Sequence, residues 1–205
     1  MSLGSAEIRV SAHHPFRSAK AKERYLKLYD MRAKEWPVAS ETRMADTAYG
    51  PTFVRVSGSA STPPLVLLHG VSGNSLQWMP NIEALSKSFR VYAVDNIYDY
   101  GRSVYTRIIK NPDDYVVWLD ELLGALGLRD SIHLMGLSYG SQRLLLILTA
   151  ILRPSLIAVV VAVADRLQRG RARSRWSSAP SLLPAAGPRR PRPARRRSAR
   201  FAPAP

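Results

Sequence analysis

The 205-residue chain contains no cysteine, which excludes a disulfide framework and a zinc–thiolate site. No apolar signal core follows its Met. Residues Ser2 to Lys22 are mixed and polar, which points to a cytoplasmic protein. No metal or cofactor is expected. There is no histidine after His133, and no lysine, aspartate or glutamate after Asp165. These last two absences bear on chemistry, because a hydroxyl nucleophile needs a base within hydrogen-bond reach and an acid to orient that base.

A shortage of acids in one place also explains the charge. The net charge is +15, but 12 of the 30 basic residues are arginines in Arg166 to Pro205. Residues 1–165 hold the other 18 against all 15 acids, a balance of +3. The basic excess therefore belongs to the tail, and neither nucleic acid nor membrane is an expected partner of the rest. The tail is dominated by Arg, Pro, Ala and Ser without helical or strand periodicity. Such a segment buries too little apolar surface to offset its conformational entropy, so disorder is expected. A basic arm for nucleic acid is one reading of it. The other is a frameshift, since Arg, Pro and Ala all have GC-rich codons.

What is present points to an α/β chain of one domain with a sizeable core. The organising stretch is Gly136-Leu137-Ser138-Tyr139-Gly140. It follows the apolar run Ile132-His133-Leu134-Met135 and precedes the apolar segment Leu144 to Leu152. That reads as strand, sharp turn and helix with a serine at the apex, the Gly-x-Ser-x-Gly elbow. Glycines two places either side of the serine leave room for a turn this tight. The turn holds the serine in a strained conformation that exposes its hydroxyl. Upstream, Leu65-Val66-Leu67-Leu68 is continuously apolar, the signature of a strand buried on both faces. It ends in His69-Gly70.

With these two elements the sequence resembles the α/β-hydrolase family over roughly Thr52 to Val163. The resemblance implies a mostly parallel sheet with helices on both faces, here incomplete at the C-terminal edge. It also implies a serine hydrolase acting on carboxylic esters or related small acyl substrates. Ser138 would be the nucleophile, in contrast to relatives that carry aspartate there, the dehalogenases and epoxide hydrolases. The oxyanion hole would take one amide from Val71, after His-Gly, and one from Tyr139, after the nucleophile. His69 and Asp95 would stabilise loops. Gly136, Gly140 and Gly70 would be the elbow and loop glycines. The family order is serine, then acid, then histidine, yet His13, His14, His69 and His133 all precede Ser138 and only Asp165 follows it. The chain is thus expected to be catalytically incomplete. A non-catalytic hydrolase scaffold that binds a ligand or partner remains the alternative.

Taken in order, the expected organisation is an extension over 1–40, a hydrolase core over 41–165 and the basic tail over 166–205. Arg17 to Trp36 reads as an amphipathic helix with Ala21, Tyr25, Leu28 and Tyr29 on one face, closed by Trp36-Pro37. Glu41 to Ala48 and Thr52 to Ser57 read as an antiparallel pair around Tyr49-Gly50-Pro51. A helix is expected from Asn74 or Ser75 to Lys87, with Leu76, Met79, Ile82 and Leu85 inward. Arg90 to Val94 is the next strand. The loop Asp95 to Ser103 is one residue longer than the family's Asp-x-x-Gly-x-Gly-x-Ser and lacks its first glycine. Asn111-Pro112-Asp113-Asp114 starts a helix with a cap, a proline and two acids, and Gly127 ends it. His133 reads as a satisfied core histidine. Helix from Tyr139 and strand from Leu156 to Ala164 complete the core. Arg153-Pro154 between them argues against a membrane span.

Overall fold

The computed structural model describes Val10–Ser138 and Leu156–Ala158, all within the unit Met1–Asp165. The helix from Tyr139, the strand residues past Ala158 and the whole arginine-rich tail lie outside the described residues.

The described strands are β1 (Ser40–Ala45), β2 (Thr52–Ser57), β3 (Pro64–Leu68), β4 (Arg90–Val94), β5 (Ile132–Gly136) and β6 (Leu156–Ala158). They form one sheet in the order β1-β2-β4-β3-β5-β6. β1 and β2 run antiparallel to their neighbours, and β4, β3, β5 and β6 are mutually parallel. The central strands are apolar on both faces because both are covered. Val66, Leu68, Tyr92, Val94 and Leu134 face Tyr115, Trp118, Leu119 and Leu122 of α3 (Pro112–Ala125). Leu65, Leu67, Val91 and Ala93 face Trp36, Trp78 and Ile82. Each fully buried apolar side chain here contributes about 1.5–3 kcal/mol. The buried indoles also place their N–H groups: Trp118 Nε1 donates to Thr52 Oγ1 (2.9 Å) and Trp36 Nε1 to Ser57 Oγ (3.1 Å). Each tryptophan so ties a covering segment to β2.

The helix boundaries follow their caps. α3 begins at Asn111, whose Oδ1 accepts the Asp114 amide at 2.9 Å, and Gly127 takes φ +73 just past its end. α1 covers Ala19–Ala33, capped by Ser18, and is shorter than the expected Arg17 to Trp36. Its end is set by turns in which the amides of Glu35 and Trp36 reach back to Arg32 and Ala33. Leu28 is 61% exposed, so the inward face is Tyr25 and Tyr29 rather than Tyr25, Leu28 and Tyr29. The expected helix from Asn74 to Lys87 divides into a 3-10 turn, Ser75–Trp78, and a short α2, Met79–Leu85. The division falls where Pro80 has no amide to continue the first turn. The β1–β2 pairing stops at Ala45 and Thr52, leaving a loop longer than three residues. Gly50 closes that loop with φ +123, and a Cβ there would lie 1.9 Å from Val104 O.

Two glycines therefore have opposite expected responses. Gly50→Ala should cost more than about 2 kcal/mol, from strain plus the backbone collision. Gly124→Ala, at an exposed position of α3 with nothing within 4 Å, should stabilise by about 0.5–1 kcal/mol. Urea unfolding of both variants checks the pair.

Candidate active site

The parallel strands β3, β4 and β5 end together at Leu68, Val94 and Gly136, as their register requires. Three loops leave this edge. In open α/β sheets the crevice at the carboxyl ends of the strands is where ligands bind.

The chain after β5 stays in register for one more residue, since Leu137 N–H donates to Leu68 O (3.1 Å). It then turns at Ser138, which has φ +52 and is exposed. A non-glycine residue in the left-handed region is held there at a cost of order 1–3 kcal/mol. Gly136, the last strand residue, is buried. Tyr139 and Gly140 lie outside the described residues.

Beside the elbow runs the loop after β3. A Cβ on Gly70 would sit 3.7 Å from Ser138 Cβ and 3.4 Å from Leu137 O. Gly70 thus marks the close approach of the two loops, not an unusual backbone angle. The tighter restriction is at Gly73, where a Cβ would lie 2.9 Å from Gln77 Oε1 and 3.0 Å from Gly70 O. The loop's amides are largely committed inward. Gly70 N–H donates to Gln77 Oε1 (2.9 Å), Ser72 N–H to Asp99 Oδ1 (2.9 Å) and Gly73 N–H to Gly70 O (3.1 Å). Among the described residues the Val71 amide has no acceptor, and its side chain is 63% exposed. Within the same loop Ser72 takes φ +59.

His69 is fully buried under this loop. Asn96 N–H donates to its Nε2 (2.9 Å), so Nδ1 carries the proton and donates to Gly70 O (2.7 Å). Both ring nitrogens are spent on backbone, and burial lowers the pKa of the imidazole. His69 is therefore no acceptor for a serine proton. His133 lies five residues before Ser138 on an extended strand, about 16 Å away at strand rise. Its Nδ1 is bonded to Pro64 O (3.2 Å) and its ring rests on Phe89. His14 stacks on Tyr105 at 5.1 Å.

Asp95 ends β4 completely buried. Its Oδ1 accepts the Ser75 amide (2.7 Å) and the Tyr29 hydroxyl (3.4 Å), and its Oδ2 accepts the Arg102 amide (2.8 Å). The space around this carboxylate fixes two further residues. A Cβ on Gly101 would lie 2.6 Å from Asp95 Oδ2. Ser103 Oγ bonds Asp95 O while accepting the Phe53 amide at 2.8 Å. Gln77, Asp99, Ser75 and Tyr29 carry no motif, and sequence reasoning did not single them out for the site. Only their placement identifies them: Gln77 and Asp99 accept loop amides, while Ser75 and Tyr29 donate to Asp95. Among the described residues no group of three His, Cys, Asp or Glu could hold a metal, and no helix is long and apolar enough to cross a membrane.

The model of the alpha/beta hydrolase family matches residues 65–205, more than half of the sequence, and the chain belongs to that family. The match runs through the arginine-rich stretch. Two Bacillus subtilis proteins show the likeness at finer grain. The chain is 36% identical over 129 residues to carboxylesterase YbfK, covering 63% of this chain and 43% of that protein. The crystal structure of the same esterase superposes with a TM-score of 0.66 at 33% identity, over 70% of this chain and 50% of that one. The structure of naproxen esterase, carboxylesterase NP, gives a TM-score of 0.64 at 34% identity, again over 70% and 50%. The chain thus spans less than half the length of the curated esterase it matches.

The burial of His69 has a signed consequence. An unfolded chain takes up a histidine proton near pH 6.5, while the folded site resists it. Stability from this group is thus present above about pH 6.5 and falls as the solution is acidified. By proton NMR the His69 ring should titrate below the ordinary histidine value, because burial disfavours the charged imidazole; a midpoint at or above that value would contradict the buried neutral ring.

Proposed function

We propose that the chain carries the nucleophile half of a serine esterase. Ser138 Oγ would attack an ester carbonyl, and the amides of Val71 and Tyr139 would donate hydrogen bonds to the developing oxyanion. The carrying observation is the exposed Ser138 at φ +52 beside the loop after β3, in which the Val71 amide has no acceptor among the described residues. Preorganised donors of this kind are worth about 2.7–4 kcal/mol of barrier each. The likeness to two carboxylesterases favours small carboxylic esters as substrates.

The proton that must leave Ser138 has no acceptor in this reading. No histidine follows the serine, and His69 has both nitrogens engaged. A serine hydroxyl without its base is a poor nucleophile, so the chain as it stands should turn over esters hardly above background. The abrupt composition change after Asp165 supports a frameshift in the encoding DNA, so that acid and histidine would be read in another frame. The family match extends through that stretch, and sequencing the DNA across codons 141–170 decides between the two. A hydrolase-like continuation in a second frame is expected; its absence in every frame would remove the frameshift.

A missing base can be supplied from solution. With a nitrophenyl ester, added imidazole should raise hydrolysis by this chain well above the rise seen with Ser138→Ala. Brisk hydrolysis without imidazole would overturn the incompleteness, and identical imidazole responses in the two proteins would overturn Ser138 as nucleophile.

A further inference from the structure

We infer that α1 is a positioning brace for the loop that presents the Val71 amide, acting through Tyr25 and Tyr29. This rests on the oxyanion reading above and assigns it two residues that touch neither substrate nor nucleophile. Both tyrosines precede the span matched by the family, which begins at residue 65.

Two bonds make the connection. The Tyr29 hydroxyl is buried, 2.9 Å from Ser75 Oγ and 3.4 Å from Asp95 Oδ1. One turn earlier on the same face, the Tyr25 hydroxyl accepts from Asn74 Nδ2 at 2.7 Å. Asn74 and Ser75 are the residues at which the loop becomes the 3-10 turn, with Asn74 Oδ1 accepting the Leu76 amide. The constraint then returns toward the elbow. Gln77 N–H donates to Asn74 O (3.0 Å), and Gln77 Oε1 holds the Gly70 amide (2.9 Å). Gly70 and Ser75 are thus both fixed, and the four residues between them, Val71 included, span two anchored points.

The helix is itself held in place. Asp30 pairs with Arg102, whose guanidinium lies over the Tyr29 ring at 5.7 Å and whose amide bonds Asp95 Oδ2. Tyr25 packs against Phe16 and Tyr100 with ring centroids 5.0 and 5.8 Å away. Burial raises the pKa of both hydroxyls, so they remain protonated and keep their roles over the working pH range. A short loop has few internal contacts of its own. Its amide is aimed by what its ends are bonded to, together with the bond from the Ser72 amide to Asp99, and catalytic donors lose force when displaced by small distances.

The test is the double variant Tyr25→Phe/Tyr29→Phe, which keeps both rings and removes only the hydroxyls. Hydrogen exchange of the bonded amides of Ser72, Gly73 and Ser75 should speed by about ten-fold, with no change at Leu119 to Leu123 in α3. In the imidazole-assisted assay the variant should lose about five-fold in kcat with KM unchanged. Leu28→Ser, on the exposed side of the same helix, should change neither. Unchanged exchange in the loop, or equal acceleration in α3, overturns the brace. Faster loop exchange with kcat intact overturns the positioning role. Should wild type and Ser138→Ala respond alike to imidazole, the nucleophile reading fails on its own, and exchange alone decides whether α1 holds the loop.

Discussion

One buried carboxylate organises the working edge of this molecule. Asp95 is out of water and accepts hydrogen bonds from three different segments: the end of the β3 loop, the β4 loop and α1. A carboxylate removed from solvent is tolerable only when its lone pairs are satisfied. The donors therefore cannot be withdrawn one at a time without exposing an uncompensated charge. This is why Gly101 must lack a side chain and why Ser103 turns back onto the Asp95 carbonyl. The register of three parallel strands brings the loops to one edge, and this charge fixes how they lie there.

The proposed chemistry is compatible with that constraint. Amides of the β3 loop that are used to build the loop cannot serve a substrate. Those of Gly70, Ser72 and Gly73 are used, while the Val71 amide, which the family resemblance proposes for the oxyanion, has no acceptor among the described residues. The imidazole beneath the loop is similarly consumed, donating to one carbonyl and accepting one amide. Strain at Ser72 and Ser138, both with positive φ, is the counterpart of this fixed arrangement.

Much of this was legible in the sequence because its signals are local. The run Leu65 to Leu68 is apolar at every position because both faces of β3 are covered, and Asn111-Pro112 carries a helix start in two residues. The elbow and His69-Gly70 carried the resemblance to the family, to which the family match then assigns the chain. What the sequence hid is long-range. Leu28 has the spacing of a core residue but sits on the outer face of α1, since Tyr29 is drawn inward by Asp95, 66 residues away. Gln77 and Asp99 look like solvated polar residues until the fold sets them against loop amides. The single helix expected from Asn74 to Lys87 instead divides next to Pro80 into a 3-10 turn and a short α-helix.

The account stands on the left-handed backbone at Ser138, which can be measured without any turnover. Glycine relieves such strain and alanine does not. Unfolding free energies of Ser138→Gly and Ser138→Ala, compared in the same buffer, should show the glycine variant more stable by about 1 kcal/mol. If Ser138 instead lay within a regular helix, glycine would be the less stable of the two by about the same amount, and the elbow, with the hydrolase chemistry built on it, would be contradicted.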